Sequence, residues 1–220
     1  MRSSFFAILL VLLGFSCGDD QVVPPVEPGI YVEDAADDDR SRMIWQQPGA
    51  VMDAMGDIRE KVIADIGAGK GFFAERLAPI ADRVIAVEID TNAINYLDTL
   101  RRFGLQKEFR PRLEPRLTTR DSPGLERSEV DIILIVNTFM FIDNKVDYLR
   151  KIYPALRSDG RIVFVDWKKK DTPRGPDKSL RLAIGTLQDM LKDADFHLVS
   201  SDDQTLAYQY IVVADKKRPE

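Results

Sequence analysis

The segment Val62-Ile63-Ala64-Asp65-Ile66-Gly67-Ala68-Gly69-Lys70-Gly71-Phe72 decides how this chain is read. It opens with a short apolar, β-branched run of the kind that makes a buried strand, then places glycines at 67, 69 and 71 before an amphipathic stretch begins near Phe72. Glycines between a strand and a helix let the backbone turn tightly and approach a ligand. The helix start behind them offers amide N–H groups that lack partners within the helix, and these suit an anion such as a carboxylate.

Outward from this segment the chain alternates. Strand candidates lie at 62–66, 83–89, 113–117, 131–136, 161–167, 196–200 and 209–214, and helical patterns at 72–78, 92–103, 145–156 and 184–194. Pro115 interrupts the third strand candidate and confines it to an edge or a bulge. Alternation of this kind predicts an α/β fold with a mostly parallel sheet covered on both faces. The last two strands have no helix between them, so one should run antiparallel at an edge. Sheets of this class bind ligands at the carboxyl ends of their strands, and the glycine loop follows such an end.

A glycine loop is common to several nucleotide-binding folds, and spacing separates them. A dinucleotide fingerprint asks for glycine or alanine where Phe72 stands, and a phosphate-binding P-loop needs Gly-Lys followed by Ser or Thr, whereas Lys70 precedes Gly71-Phe72. Both fit poorly. The run Asp65-Ile66-Gly67-Ala68-Gly69-Lys70-Gly71 resembles instead the first motif of class I S-adenosylmethionine-dependent methyltransferases, and Val84-Ile85-Ala86-Val87-Glu88-Ile89-Asp90 resembles the second. In that family the acidic residue ending the second strand accepts the ribose hydroxyls of the cofactor, and Glu88 matches it; two carboxylate oxygens suit two hydroxyls. Val130 through Phe141 resembles the fourth strand and its loop, beside the transferable methyl group.

The resemblance implies a Rossmann-like, doubly wound, seven-stranded sheet with an antiparallel edge strand. It also implies S-adenosyl-L-methionine as cofactor, held by Asp65, Gly67, Ala68, Gly69, Gly71, Glu88, Ile89, Thr119 and Asn137. The implied activity is methyl transfer to a small-molecule or lipid-like acceptor beside Asn137, Phe139 and Met140, with Phe141 as further apolar wall. Trp45-Gln46-Gln47-Pro48, Val165-Asp166-Trp167-Lys168-Lys169 and Tyr208-Gln209-Tyr210 resemble a narrower group of bacterial methyltransferase-domain proteins of unassigned substrate. That group has Tyr-His-His where this chain has Phe139-Met140-Phe141, so the alternative is a non-catalytic S-adenosylmethionine-binding module. His197, the one histidine, falls in a late strand and reads as surface or structural; Asp166 and Lys168 read as an exposed ion pair.

The remaining features set the context. A net charge of -5 and pI near 5.1 disfavour a protein that binds nucleic acid by neutralising phosphates. One His, one Cys and no acidic cluster at ligand spacing suggest no metal site. Residues 1–17 read as a signal peptide: Arg2, an apolar run over 5–13, and Cys17 in a lipobox-like setting. That run is about half of the ~20 residues a spanning helix needs. Residues 18–40, rich in Asp, Glu and Pro, read as a tether, and 41–220 as the methyltransferase domain. A lipid on Cys17 would anchor the domain to a membrane of the bacterial cell envelope, the alternative being a cytoplasmic protein. S-adenosylmethionine is made in the cytoplasm, so export and cofactor supply pull against each other.

Overall fold

Strands too apolar on both faces to meet water must be covered twice, and the chain does this with helices. The computed structural model describes residues 39–216. In order these form α1 (Asp39–Gln46), α2 (Pro48–Met55), β1 (Val62–Ile66), α3 (Phe72–Leu77), β2 (Arg83–Glu88), α4 (Thr91–Thr99), β3 (Leu113–Leu117), β4 (Val130–Val136), α5 (Lys145–Ile152), β5 (Leu156–Trp167), α6 (Ile184–Asp193), β6 (Phe196–Asp202) and β7 (Gln209–Lys216). The sheet order is β3-β2-β1-β4-β5-β7-β6. β1 to β5 run parallel, and β7 inserts antiparallel between β5 and β6, so the antiparallel pairings gather at one side of the sheet. β3 forms the opposite edge, where Pro115 costs least.

Side-chain alternation splits the core in two. Ile63, Val84, Leu134, Val163 and Val213 face α2, α3 and α4, while Ala64, Ile85, Ile133, Phe164 and Val212 face α5 and α6. Strand order reverses between β1 and β4, because β2 lies on one side of β1 and β4 on the other. Doubly wound sheets take ligands at such a switch point, beyond the carboxyl ends of the strands.

Three expectations shift at element ends. The helix expected over 145–156 stops at Ile152; Pro154 sits in a 3-10 turn, and Leu156 already begins β5. The helix expected over 92–103 becomes one π-helical turn at Leu100–Gly104. The two helices before β1 have only eight residues each, shorter than the window over which a helical period is read, and α1 begins at Asp39, inside the segment read as tether. The signal peptide, Cys17 and the rest of the tether lie outside the described residues. No helix among the described residues is long and apolar enough to cross a membrane.

Candidate active site

The glycine loop is fixed from below and open above. Gly67 adopts φ +74°, and a Cβ there would lie 2.2 Å from Thr138 Oγ1, so only glycine fits against the loop that follows β4. The N–H groups of Gly67 and Ala68 donate to the Val87 carbonyl, tying the loop to β2. Gly69, at φ +55°, has nothing within 4 Å of where a Cβ would stand, and this leaves space over the loop.

Glu88 closes the loop from the β2 side. Its Oε2 accepts from the Gly69 N–H at 2.9 Å and its Oε1 from the N–H groups of Ile89 and Asp90 at 2.6 and 3.2 Å. A carboxylate offers about four lone-pair positions, so capacity remains for a hydroxyl, and a second hydroxyl would take over the place of the Gly69 N–H. Half-buried Glu88, the open space over Gly69 and the exposed Ile89 therefore fit a nucleoside lying across the loop. The site of S-adenosylmethionine is thus well matched by the residues present.

Asp65 lies beneath the loop. It is buried, and its carboxylate takes the Ala74 amide near the start of α3, so it caps the helix beneath the loop. Burial pushes its carboxyl up to about 7; the Arg42 guanidinium opposes that rise and the charge of Glu88 adds to it. Thr119 is exposed, and its carbonyl accepts from Ser122 within the loop after β3. Gly71 and Phe72 are buried at the start of α3, and the Arg42 guanidinium lies 4.2 Å from the Phe72 ring.

Beside the glycine loop, Asn137 directly follows β4 with φ +56°, a left-handed conformation sparse for a non-glycine residue. Its N–H donates to the Val165 carbonyl, and its side-chain oxygen accepts from Gln209. Gln209 in turn accepts from Gln46 at 3.0 Å, and Gln46 from Arg42 Nε at 2.6 Å. Gln46 and Gln209 are fully buried, which makes this a satisfied internal polar chain. Beside it Trp45 stacks on Trp167, ring centroids 5.0 Å apart, with Met140, Phe141 and Tyr208 completing an apolar cluster.

Two sequence expectations are corrected here. Phe139 does not line this space; it is buried in the α5/α6 core, edge-on to Phe164 at 5.0 Å, whereas Met140 and Phe141 turn toward the tryptophans. Asp166 and Lys168 form no exposed ion pair. Asp166 is buried, accepts from the N–H groups of Trp167 and Met140, and is pushed up to about 7 by burial, while Lys168 Nζ donates to the Leu206 carbonyl. Strand alternation turns Asp166 to the opposite face from Trp167. His197 is exposed on β6, far along the sheet from β1.

Arg181 carried no signal in the sequence. Its guanidinium is buried and donates to the carbonyls of Pro176, Lys168, Lys170 and Arg174 and to Thr172 Oγ1, gathering the loop after β5 around itself. That loop brings Arg174 to within 5.6 Å of the Trp45 ring and 5.9 Å of the Tyr208 ring. Only a sparse pattern of residues distant in sequence builds this wall, and no local motif announces it.

A sequence profile described as a methyltransferase domain matches residues 64–162, which contain the glycine loop, Glu88 and Asn137. Residues 64–162 therefore carry a methyltransferase domain. Its fold is similar to that of a SAM-dependent methyltransferase from Aquifex aeolicus, at 20% identity over 80% of this chain and 93% of that one, TM-score 0.73. It is also similar to the geranyl diphosphate C-methyltransferase of Streptomyces coelicolor, solved with S-adenosyl-L-homocysteine, at 14% identity over 80% and 82% of the chains, TM-score 0.64. The [4+2]-cyclase SpnF shares the fold at 14% identity over 84% and 86%, TM-score 0.67. No functionally curated protein matches the chain by sequence. The cofactor of the family is S-adenosylmethionine, for which the site has the residues; among the described residues no cluster of His, Cys, Asp or Glu could hold a metal ion.

Proposed function

We propose that this protein transfers the methyl group of S-adenosylmethionine to a small-molecule or lipid-like acceptor held between Asn137 and the tryptophan cluster. One observation carries the reading: Thr138 packs against Gly67, which sets the cofactor loop and Asn137 side by side at the point where strand order reverses. When bound, the cofactor supplies a methyl group on a sulfonium, already activated by its positive charge. The chain's own part is then positioning and the exclusion of water, and positioning alone supplies a large share of the acceleration in such displacements. Glu88 orients the ribose side, Asn137 orients the acceptor, and Trp45, Met140 and Trp167 give it a dry surface.

An acceptor already in its nucleophilic form needs no histidine, so the departure at Phe139-Met140-Phe141 is compatible with turnover. The second reading, a binding module without catalysis, rests on that same departure. Calorimetric titration of the protein with S-adenosylmethionine, beside Glu88→Ala, tests the cofactor site. Binding that is lost in the variant supports it; a folded wild type that does not bind sinks the whole reading. Methyl transfer to any acceptor removes the second reading.

Placement on the cell envelope through a lipid at Cys17 is proposed from the sequence pattern alone. Mass spectrometry of the membrane fraction tests it, and an unmodified Cys17 still joined to residues 1–16 would refute it.

A further inference from the structure

The polar chain that ends at Asn137 has a direction, and that direction selects the acceptor. A side-chain amide can be turned over without changing its shape, so in isolation Asn137 could offer either an oxygen or an N–H to a ligand. Here the choice is made at the other end. Arg42 is a guanidinium, which donates and never accepts, so Gln46 must present Oε1 to it. Gln46 then has only its Nε2 for Gln209, which must receive it on Oε1. Gln209 in turn has only its Nε2 for Asn137, which receives it on Oδ1. Asn137 is left with its Nδ2–H groups, and these bond to no described residue although the side chain is only partly buried. The residue beside the methyl-transfer point is therefore a fixed hydrogen-bond donor.

A second donor lies on the same face of the sheet. Trp167 faces Gln209 directly in the β5–β7 register, so its indole shares a face with the polar chain. Its Nε1–H is buried and has no acceptor among the described residues. A buried N–H without a partner costs free energy that a ligand oxygen would recover. Asp166 points to the other face, and the Arg174 guanidinium lies 5.6 Å from the Trp45 ring and 5.9 Å from that of Tyr208.

Resting on the methyltransferase reading above, we propose that the acceptor is a carboxylate attached to an apolar body. Its carboxylate accepts from Asn137 Nδ2–H and Trp167 Nε1–H, and its apolar part lies against Trp45, Met140 and Tyr208. Amines and other ligands whose polar head can only donate are disfavoured, because they would meet N–H with N–H.

The two tryptophans of the chain are both in this cluster, so intrinsic fluorescence reports on it directly. Titrating the protein, saturated with S-adenosylhomocysteine, with phenylacetate, phenylacetamide and phenethylamine should give affinities in that order, with phenylacetate at least about tenfold tighter than phenethylamine. Gln46→Glu reverses the chain: a carboxylate at 46 accepts from Arg42 and also from Gln209, which turns the Gln209 and Asn137 amides over and exposes an oxygen. The preference for phenylacetate should collapse. Asn137→Asp, at a less buried position, removes the donor outright and should do the same. Equal affinities for acid and amine in wild type that still binds S-adenosylhomocysteine would overturn the proposal and leave the methyltransferase reading standing. So would an unchanged preference in either variant with unaltered melting temperature. Failure of S-adenosylhomocysteine to bind folded wild type would instead overturn the cofactor reading, and the proposal with it.

Discussion

Gly67→Ala and Gly69→Ala, two neighbouring and chemically identical substitutions, should separate folding from binding. Both place an alanine in the left-handed region, which costs about 1–2 kcal/mol. At Gly69 that is the whole cost, since a Cβ there meets nothing within 4 Å. At Gly67 the new methyl would lie 2.2 Å from Thr138 Oγ1 and 2.5 Å from its Cγ2, well inside contact distance. Relieving such an overlap costs about 1–3 kcal/mol more. The sums are about 2–5 kcal/mol for Gly67→Ala and about 1–2 for Gly69→Ala. A domain of this size loses roughly 2–4 °C per kcal/mol. Scanning calorimetry should therefore show a drop of roughly 4–20 °C for Gly67→Ala and roughly 2–8 °C for Gly69→Ala. Binding should rank differently: Gly69→Ala fills the space proposed for the nucleoside and should lose at least about tenfold in affinity for S-adenosylmethionine while staying folded, a factor worth about 1.4 kcal/mol. Adding Thr138→Ala to Gly67→Ala should restore part of the melting temperature, since the left-handed strain remains. Wild-type affinity in Gly69→Ala would refute the placement of the cofactor over the loop, and equal stability losses would refute the steric account.

Two further outcomes follow from buried charge. Asp65 and Asp166 have folded-state values near 7, above those of an unfolded carboxyl, so each contributes stability below about pH 4 that is lost as pH rises through 7. Melting temperature should fall from pH 5 to pH 8, and Asp166→Asn, which keeps an oxygen for the Trp167 N–H, should flatten that fall; parallel curves would contradict it. Arg181→Met should strip five acceptors of their donor and loosen the loop after β5, so trypsin should cut at Lys168–Arg174 faster while S-adenosylmethionine binding persists, and an unchanged digestion rate would contradict the staple.

The alternation of apolar runs and amphipathic stretches was enough to specify a doubly wound sheet, because strands buried on both faces and helices with one apolar stripe have few ways to pack. The glycine loop and Glu88 were legible for a related reason: they are local, and tight turns and strand ends leave short-range marks. Tertiary structure decided everything that depends on which distant residues meet. Phe139 and Met140 are adjacent and equally apolar, yet a single 3-10 turn sends one into the core and the other to the tryptophans. Asp166 looked like a surface charge until the two flanking amides enclosed it. The direction of the Arg42-Gln46-Gln209-Asn137 chain spans residues from α1 to β7 and exists only once the sheet has closed, because each amide takes its orientation from the neighbour that the fold supplies.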